Sequence, residues 1–162
     1  MKQKLILFVL AIALGVFPAV ANEPLKVYLN AGNVEHLHIE ENMEVVLLQA
    51  PSDKPEIMLD ELFANKINFR LTNNKLTISG KENRGEKMVV YLYVSNLKSL
   101  TVDDNSRVKT LGTLETGKLD VYVDNNTTVH IRTTGSVKAH AIDDVEMQVK
   151  YLSNTQTRKR GY

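Results

Sequence analysis

The chain has 162 residues, 43% hydrophobic and 24% charged, with a formal charge of +1, ordinary values for a folded domain. A balance this close to neutral gives no electrostatic reason to expect nucleic acid as a partner. It contains no cysteine, which excludes disulfides, thiol catalysis and a Cys-based zinc site.

The chain opens with "MKQK", runs through the apolar "LILFVLAIALGVF" and reaches "PAVA", an Ala-x-Ala pattern. This order predicts a secretory signal peptide over residues 1–21, because the apolar run is shorter than the ~20 residues of a spanning helix. An uncleaved anchor is the alternative. Cleavage after Ala21 would leave 141 residues, without Lys2 and Lys4, and so 18 basic against 19 acidic side chains. That length suits one core, here expected over 22–150, followed by a polar, basic tail over 151–162 that carries "TRKR". No membrane span is expected after cleavage.

Strand signals then dominate. Period-two alternation rich in Val, Ile, Thr and Tyr predicts strands at 26–30, 35–41, 44–50, 67–72, 75–80, 87–95, 99–103, 118–124, 128–133, 137–143 and 145–151. Between them lie "NAGN", "TNN", "ENRGE", "DDNS", "GTLETG", "DNN" and "TTG", all turn chemistry. The segment "PEIMLDELFANK" (55–66) reads equally as one helical turn or an irregular strand.

The strands also repeat. Apolar-x-apolar, five residues, apolar occurs at Leu37/Ile39/Val45, Leu100/Val102/Val108, Val121/Val123/Val129 and Ala139/Ala141/Met147. The last three copies start 21 and then 18 residues apart (100 to 121, 121 to 139). A rung of ~20 residues predicts an all-β, single-stranded parallel β-helix-like coil or β-roll. An antiparallel β-sandwich is the alternative, since turn signals at this spacing also describe one. In the coil, "LTVDDNSRV" and "VYVDNNTTV" are corners, whose short polar side chains bond their own backbone and tolerate left-handed conformations.

The stretch "NKLTISGKENRGEKMVVYLYVSNLKSLTVDDNSRVKT", followed by "GKLDVYVDNNTTVHI", resembles the head GIN domain family of putative auto-transporter adhesins. Leu76–Ile78, Val90–Val94, Leu97 and Leu100–Val102 carry the resemblance, and upstream "NVEHLHIEENMEVVLLQ" resembles the family's opening. It covers roughly residues 34–150. The family's Gly-Ser turns are replaced here by "DDNS", "DNN" and "IDD", which puts in doubt any role of a small-residue surface. The resemblance implies export, a β-helix-like fold and an adhesive role, and it transfers no catalytic residue.

The chemistry-bearing residues fit that picture. Stacked corners would bring Asp103, Asp124 and Asp143 together on the surface, as solvated turn acids or a calcium site. Adjacent acids on a strand face opposite ways, so none of the pairs makes a glycosidase site alone. His36 and His38 share a strand face and could chelate a metal, but no third ligand is placed. His130 and His140 fall on outward alternate positions. Tyr91, Tyr93 and Tyr122 face outward if their Val and Leu neighbours face in, which suits macromolecule or glycan contact, or covering by 55–66.

The expectation is thus an exported, non-enzymatic domain of the bacterial envelope, at the periplasm or cell surface. It would need no cofactor and would bind an envelope macromolecule or glycan through Tyr91, Tyr93, Tyr122, Asp103, Asp124 and Asp143. The alternatives are an extracytoplasmic carbohydrate-active enzyme and a structural scaffold.

Overall fold

A computed structural model describes residues 25–28, 34–51, 56–80, 87–124, 126–141 and 146–151. The expected leader over 1–21 lies outside them, and of the tail expected over 151–162 only Tyr151 is described, closing the last strand. The described residues form strands β1 (Leu25–Tyr28), β2 (His36–Glu40), β3 (Met43–Gln49), β4 (Glu56–Leu59) and β5 (Ile67–Thr72). They continue with β6 (Lys75–Gly80), β7 (Met88–Val94), β8 (Ser99–Val102) and β9 (Arg107–Thr110). The last four are β10 (Lys118–Val123), β11 (Thr128–Thr133), β12 (Ser136–Ala141) and β13 (Glu146–Tyr151). No helix among the described residues is long and apolar enough to cross a membrane.

The ambiguous segment 55–66 takes both of its expected forms. Glu56–Leu59 alternates half-buried and buried residues as β4, and Glu61–Phe63 makes one 3-10 turn. Asp60 starts that turn, its Oδ1 accepting the Leu62 N–H at 2.9 Å. Leu62 is 73% exposed, while Phe63 and Ala64 pack partly against the core.

The strands form two mixed sheets. One has seven strands in the order β1-β4-β7-β3-β9-β11-β13, the other six in the order β12-β10-β8-β2-β6-β5. Pairing is parallel along β6-β2-β8-β10-β12 and along β7-β3-β9-β11-β13. It is antiparallel at β1-β4-β7 and at β5-β6. A purely parallel coil is therefore corrected at one flank of each sheet. The reason for the β5-β6 reversal is local: Asn73 and Asn74 sit at φ 51° and 61°, the two left-handed residues of a tight hairpin turn.

The repeat reads directly as register. Leu37 pairs with Leu100, Leu100 with Val121 and Val121 with Ala139. Ile39, Val102, Val123 and Ala141 form the next inward row. Across the core, Val45, Val108, Val129 and Met147 are in register in the seven-stranded sheet. All four copies of the template thus occupy equivalent positions. Inward residues of both sheets merge into one buried cluster, from Leu37 and Ile39 to Leu92, Val108 and Ile131. Burial of this kind contributes about 25 cal/mol per Å² of apolar surface, and a chain without disulfides has to rely on it.

The corners explain the paired acidic segments. Asp104 and Asn105 lie at φ 50° and 57°, Glu41 and Asn42 at 62° and 47°, and Asn126 at 55°. These positions follow Ile39, Val102 and Val123 at matching offsets. Asn and Asp enter the left-handed region more easily than other non-glycine residues, which is the reason for their recurrence here. Corners stack through backbone bonds: the Asn42 N–H donates to Asp104 C=O at 2.8 Å, and the Thr128 N–H to Ser106 C=O at 3.1 Å. Ser106 is buried just inside its corner, its Oγ accepting the Met43 N–H at 3.3 Å.

At the far end the inward positions change character. Val137 is half-buried, while Ala139 and Ala141 are exposed, so the core tapers as its side chains shrink.

Candidate functional site

In the six-stranded sheet, outward side chains stand in three cross-strand rows. The first runs Thr72, Lys75, His36, Ser99, Asp120, Lys138. The second runs Arg70, Thr77, His38, Thr101, Tyr122, His140. The third begins Asn68, Ser79, Glu40 and continues at the strand ends with Asp103 and Asp124.

Size alternates along the second row, from Arg70 through Thr77, His38 and Thr101 to Tyr122. Short hydroxyl residues on β6 (Thr77, Ser79) and β8 (Ser99, Thr101) lie between long side chains on β5, β2 and β10. The face is therefore corrugated, with hydroxyl-floored grooves separated by a histidine ridge on β2. A depression of about 700 Å³ lies over β6, lined by His38, Glu40, Asn68, Phe69, Arg70, Lys75, Thr77 and Ser79.

The ridge is held by hydrogen bonds. His36 Nδ1 lies 2.7 Å from Ser99 Oγ. His38 lies 2.7 Å through Nε2 from Asp103 Oδ2 and 3.3 Å through Nδ1 from Glu40 Oε1. Both ring nitrogens of His38 thus face carboxylates, which restrain the ring. The two histidines singled out for a metal have these partners instead, and no group of three or more metal-ligating side chains is placed to hold an ion among the described residues.

On the other side of the β8 groove, Tyr122 and His140 stack with ring centroids 4.6 Å apart and planes 9° from parallel. Tyr122 is 44% exposed. In the row beside the stack, Lys118 Nζ donates to Asp120 Oδ2 at 3.0 Å, and His140 Nε2 is 3.9 Å from Asp120 Oδ1.

The six expected surface residues divide between the two sheets. Tyr122, Asp103 and Asp124 share the six-stranded face, with the Asp124 N–H donating to Val102 C=O beside Asp103. Tyr91 and Tyr93 lie on β7 of the other sheet, and Asp143 lies outside the described residues. The 55–66 segment does not cover the two tyrosines. Its strand β4 lies beside β7 in the same sheet, pairing Met58 with Tyr91 and Glu56 with Tyr93. The sequence alone does not single out Arg70 and Lys75, because each is an ordinary outward residue of its own strand and only the hairpin brings them to one groove.

At the entrance to β2, Lys98 Nζ sits 2.8 Å from Glu35 Oε1. That hydrogen bond holds the Glu35 carboxyl below its ordinary value, against a smaller upward push from burial and with further help from the charges of Lys98 and His36. A carboxyl depressed in the folded state stabilises the fold above its unfolded value, and the contribution is lost as pH falls through the folded one. Lys98→Ala should therefore move the Glu35 titration upward, towards 4.5, in carboxyl-detected NMR. An unchanged titration would show that Lys98 is not its cause.

A family model described as "Putative auto-transporter adhesin, head GIN domain" matches residues 33–161. No curated protein matches the chain. Among solved structures, the chain is similar to a putative adhesin from Bacteroides fragilis NCTC 9343, with TM-score 0.49, 11% identity and coverage of 82% of this chain and 95% of that one. It is also similar to a putative adhesin from Parabacteroides merdae ATCC 43184, with TM-score 0.42, 11% identity and coverage of 82% and 97%. A third, a putative lipid binding protein from Parabacteroides distasonis ATCC 8503, has TM-score 0.44, 12% identity and coverage of 80% and 61%.

Proposed function

Because the chain belongs to the head GIN domain family, we propose that it is an exported, non-enzymatic binding module of the bacterial envelope. Its role is adhesive, through contact with a glycan or another envelope macromolecule. The parallel strands form a β-helix-like roll whose rungs cross from one sheet to the other. In support of the roll stand the in-register rows Leu37–Leu100–Val121–Ala139 and Val45–Val108–Val129–Met147. The signal-peptide pattern of residues 1–21 supports export.

The observation that carries the binding role is the outer face of the six-stranded sheet. Its grooves are floored by hydroxyls and edged by the half-exposed Tyr122 beside His140. Hydroxyls, amides and an aromatic side chain on a rigid sheet suit a hydroxyl-rich polymer lying along the strands.

The purified protein should bind members of a glycan array or be retained by envelope fractions. Tyr122→Ala should weaken that binding about fivefold, the loss expected for one aromatic contact. Degradation of a polysaccharide at enzymatic rates would replace this reading with the carbohydrate-active enzyme. Recovery of the intact, uncleaved chain from the cytoplasm would remove export.

A further inference from the structure

The groove over β6 is charged unevenly along its length. Lys75 stands at its start and Arg70 at mid-length, both exposed, and among the described residues neither has a carboxylate partner. Glu40 stands at the opposite end, beside Ser79 and Asn68, with Asp103 behind it. Between them lie the hydroxyls of Thr77 and Ser79.

From this arrangement we infer that the groove is a subsite for a sugar acid, a glycan unit with one carboxylate among many hydroxyls. The inference rests on the reading of the chain as a glycan-binding module. Arg70 presents a planar fork that matches a carboxylate with two parallel hydrogen bonds, and Lys75 adds a point charge one row away. Thr77 and Ser79 can donate to or accept from ring hydroxyls, while Asn68 offers both kinds of group. Glu40 carries acceptors only, so it receives hydroxyl protons and repels a second anion. A densely sulfated chain or a nucleic acid would place negative charge against Glu40 and Asp103, whereas an isolated carboxylate between Arg70 and Lys75 stands at least one row away from Glu40.

Dimensions agree. From Lys75 to Ser79 the strand advances four residues, about 13 Å at roughly 3.3 Å each, and the depression of about 700 Å³ lies within the usual range for ligand sites. Phe69 borders the same depression from the core side of β5, where it is in register with Ile78 and packs against the core.

The test is calorimetric titration of the full chain with a glucuronate-containing oligosaccharide and with its carboxyl-reduced counterpart. The acidic form should bind at least about tenfold tighter, the effect of a charge-assisted pair, and the difference should shrink as salt rises. Arg70→Gln and Lys75→Gln should each narrow the difference and leave the melting temperature unchanged. Equal affinity of the unmodified protein for both forms would overturn the carboxylate subsite and leave the glycan reading standing. A preference undiminished in R70Q would overturn it too. Failure to bind either form, with no binding on the glycan array, would overturn both readings.

Discussion

Gly135→Ala should destabilise the protein by about 3 kcal/mol, the upper part of the usual range for forcing atoms into a filled site. A Cβ built on Gly135 would lie 2.1 Å from the Thr116 carbonyl oxygen, 2.3 Å from that of Gly117 and 2.7 Å from the Thr116 carbonyl carbon. All three are backbone atoms, and they cannot swing away as a side-chain tip can. They are also held from the other side. The Ser136 N–H donates to Gly117 C=O at 3.0 Å, and the Thr134 N–H to Leu114 C=O at 3.0 Å. Thr133 Oγ1, fully buried, donates to the same Leu114 carbonyl at 3.1 Å and accepts the Gly135 N–H at 3.2 Å. Relief of the clash would break this knot between β11 and β12.

Urea denaturation measures the loss, and two other glycines serve as comparisons. Gly117 has open space around its Cβ position, so Gly117→Ala should change stability by no more than about 0.5 kcal/mol. Gly112 also has open space but sits at φ 90°, and its alanine variant should lose about 1 kcal/mol to backbone strain. If Gly135→Ala unfolded at the same urea concentration as the parent, the close approach of these backbones would be refuted.

Leu100→Ala should cost about 3 kcal/mol, the middle of the range measured for buried leucines. Leu100 is fully buried in the row Leu71–Leu76–Leu37–Leu100–Val121–Ala139, with Leu37 on one side and Val121 on the other. Backbone ladders fix both neighbours, so they cannot collapse into the space left behind. At the row's edge the result should differ. Leu71 is only partly buried, and Leu71→Ala should lose about 1 kcal/mol, since less apolar surface leaves water there. Equal losses at the two positions would show that the row is not packed from its middle outward.

The rows themselves were readable because each depends on local alternation. The apolar-x-apolar pair before each corner lies in the six-stranded sheet and the single apolar residue after it in the seven-stranded sheet, in every copy. Corner chemistry was readable for a similar reason, since Asp104 and Asn105 carry their conformational preference with them. The spatial order of the rungs was not readable. Nothing in "EHLHIEE" says that β8, rather than a nearer strand, lies along it, because that choice is made by pairing across 63 residues (37 to 100). Strand β9, only four residues long and with one buried side chain, Val108, gave too little alternation to be predicted separately. The same limit hid the groove. Arg70, Thr77 and His38 become neighbours only after the hairpin has folded onto β2, and the pairing of His38 with Asp103 spans 65 residues.

One consequence of the strand order concerns how such a chain reaches its native state. The segment β2–β3 comes early in the sequence yet ends between two rungs made later, with Leu37 flanked by Leu76 and Leu100. It cannot acquire both neighbours until Thr110 is available, so the strands cannot simply add one after another in chain order. Closing loops of this size before their contacts form slows assembly and leaves the Val-rich β3 with unsatisfied flanks in the interval. Until the second flank arrives, the open edges of that strand are available to foreign strands.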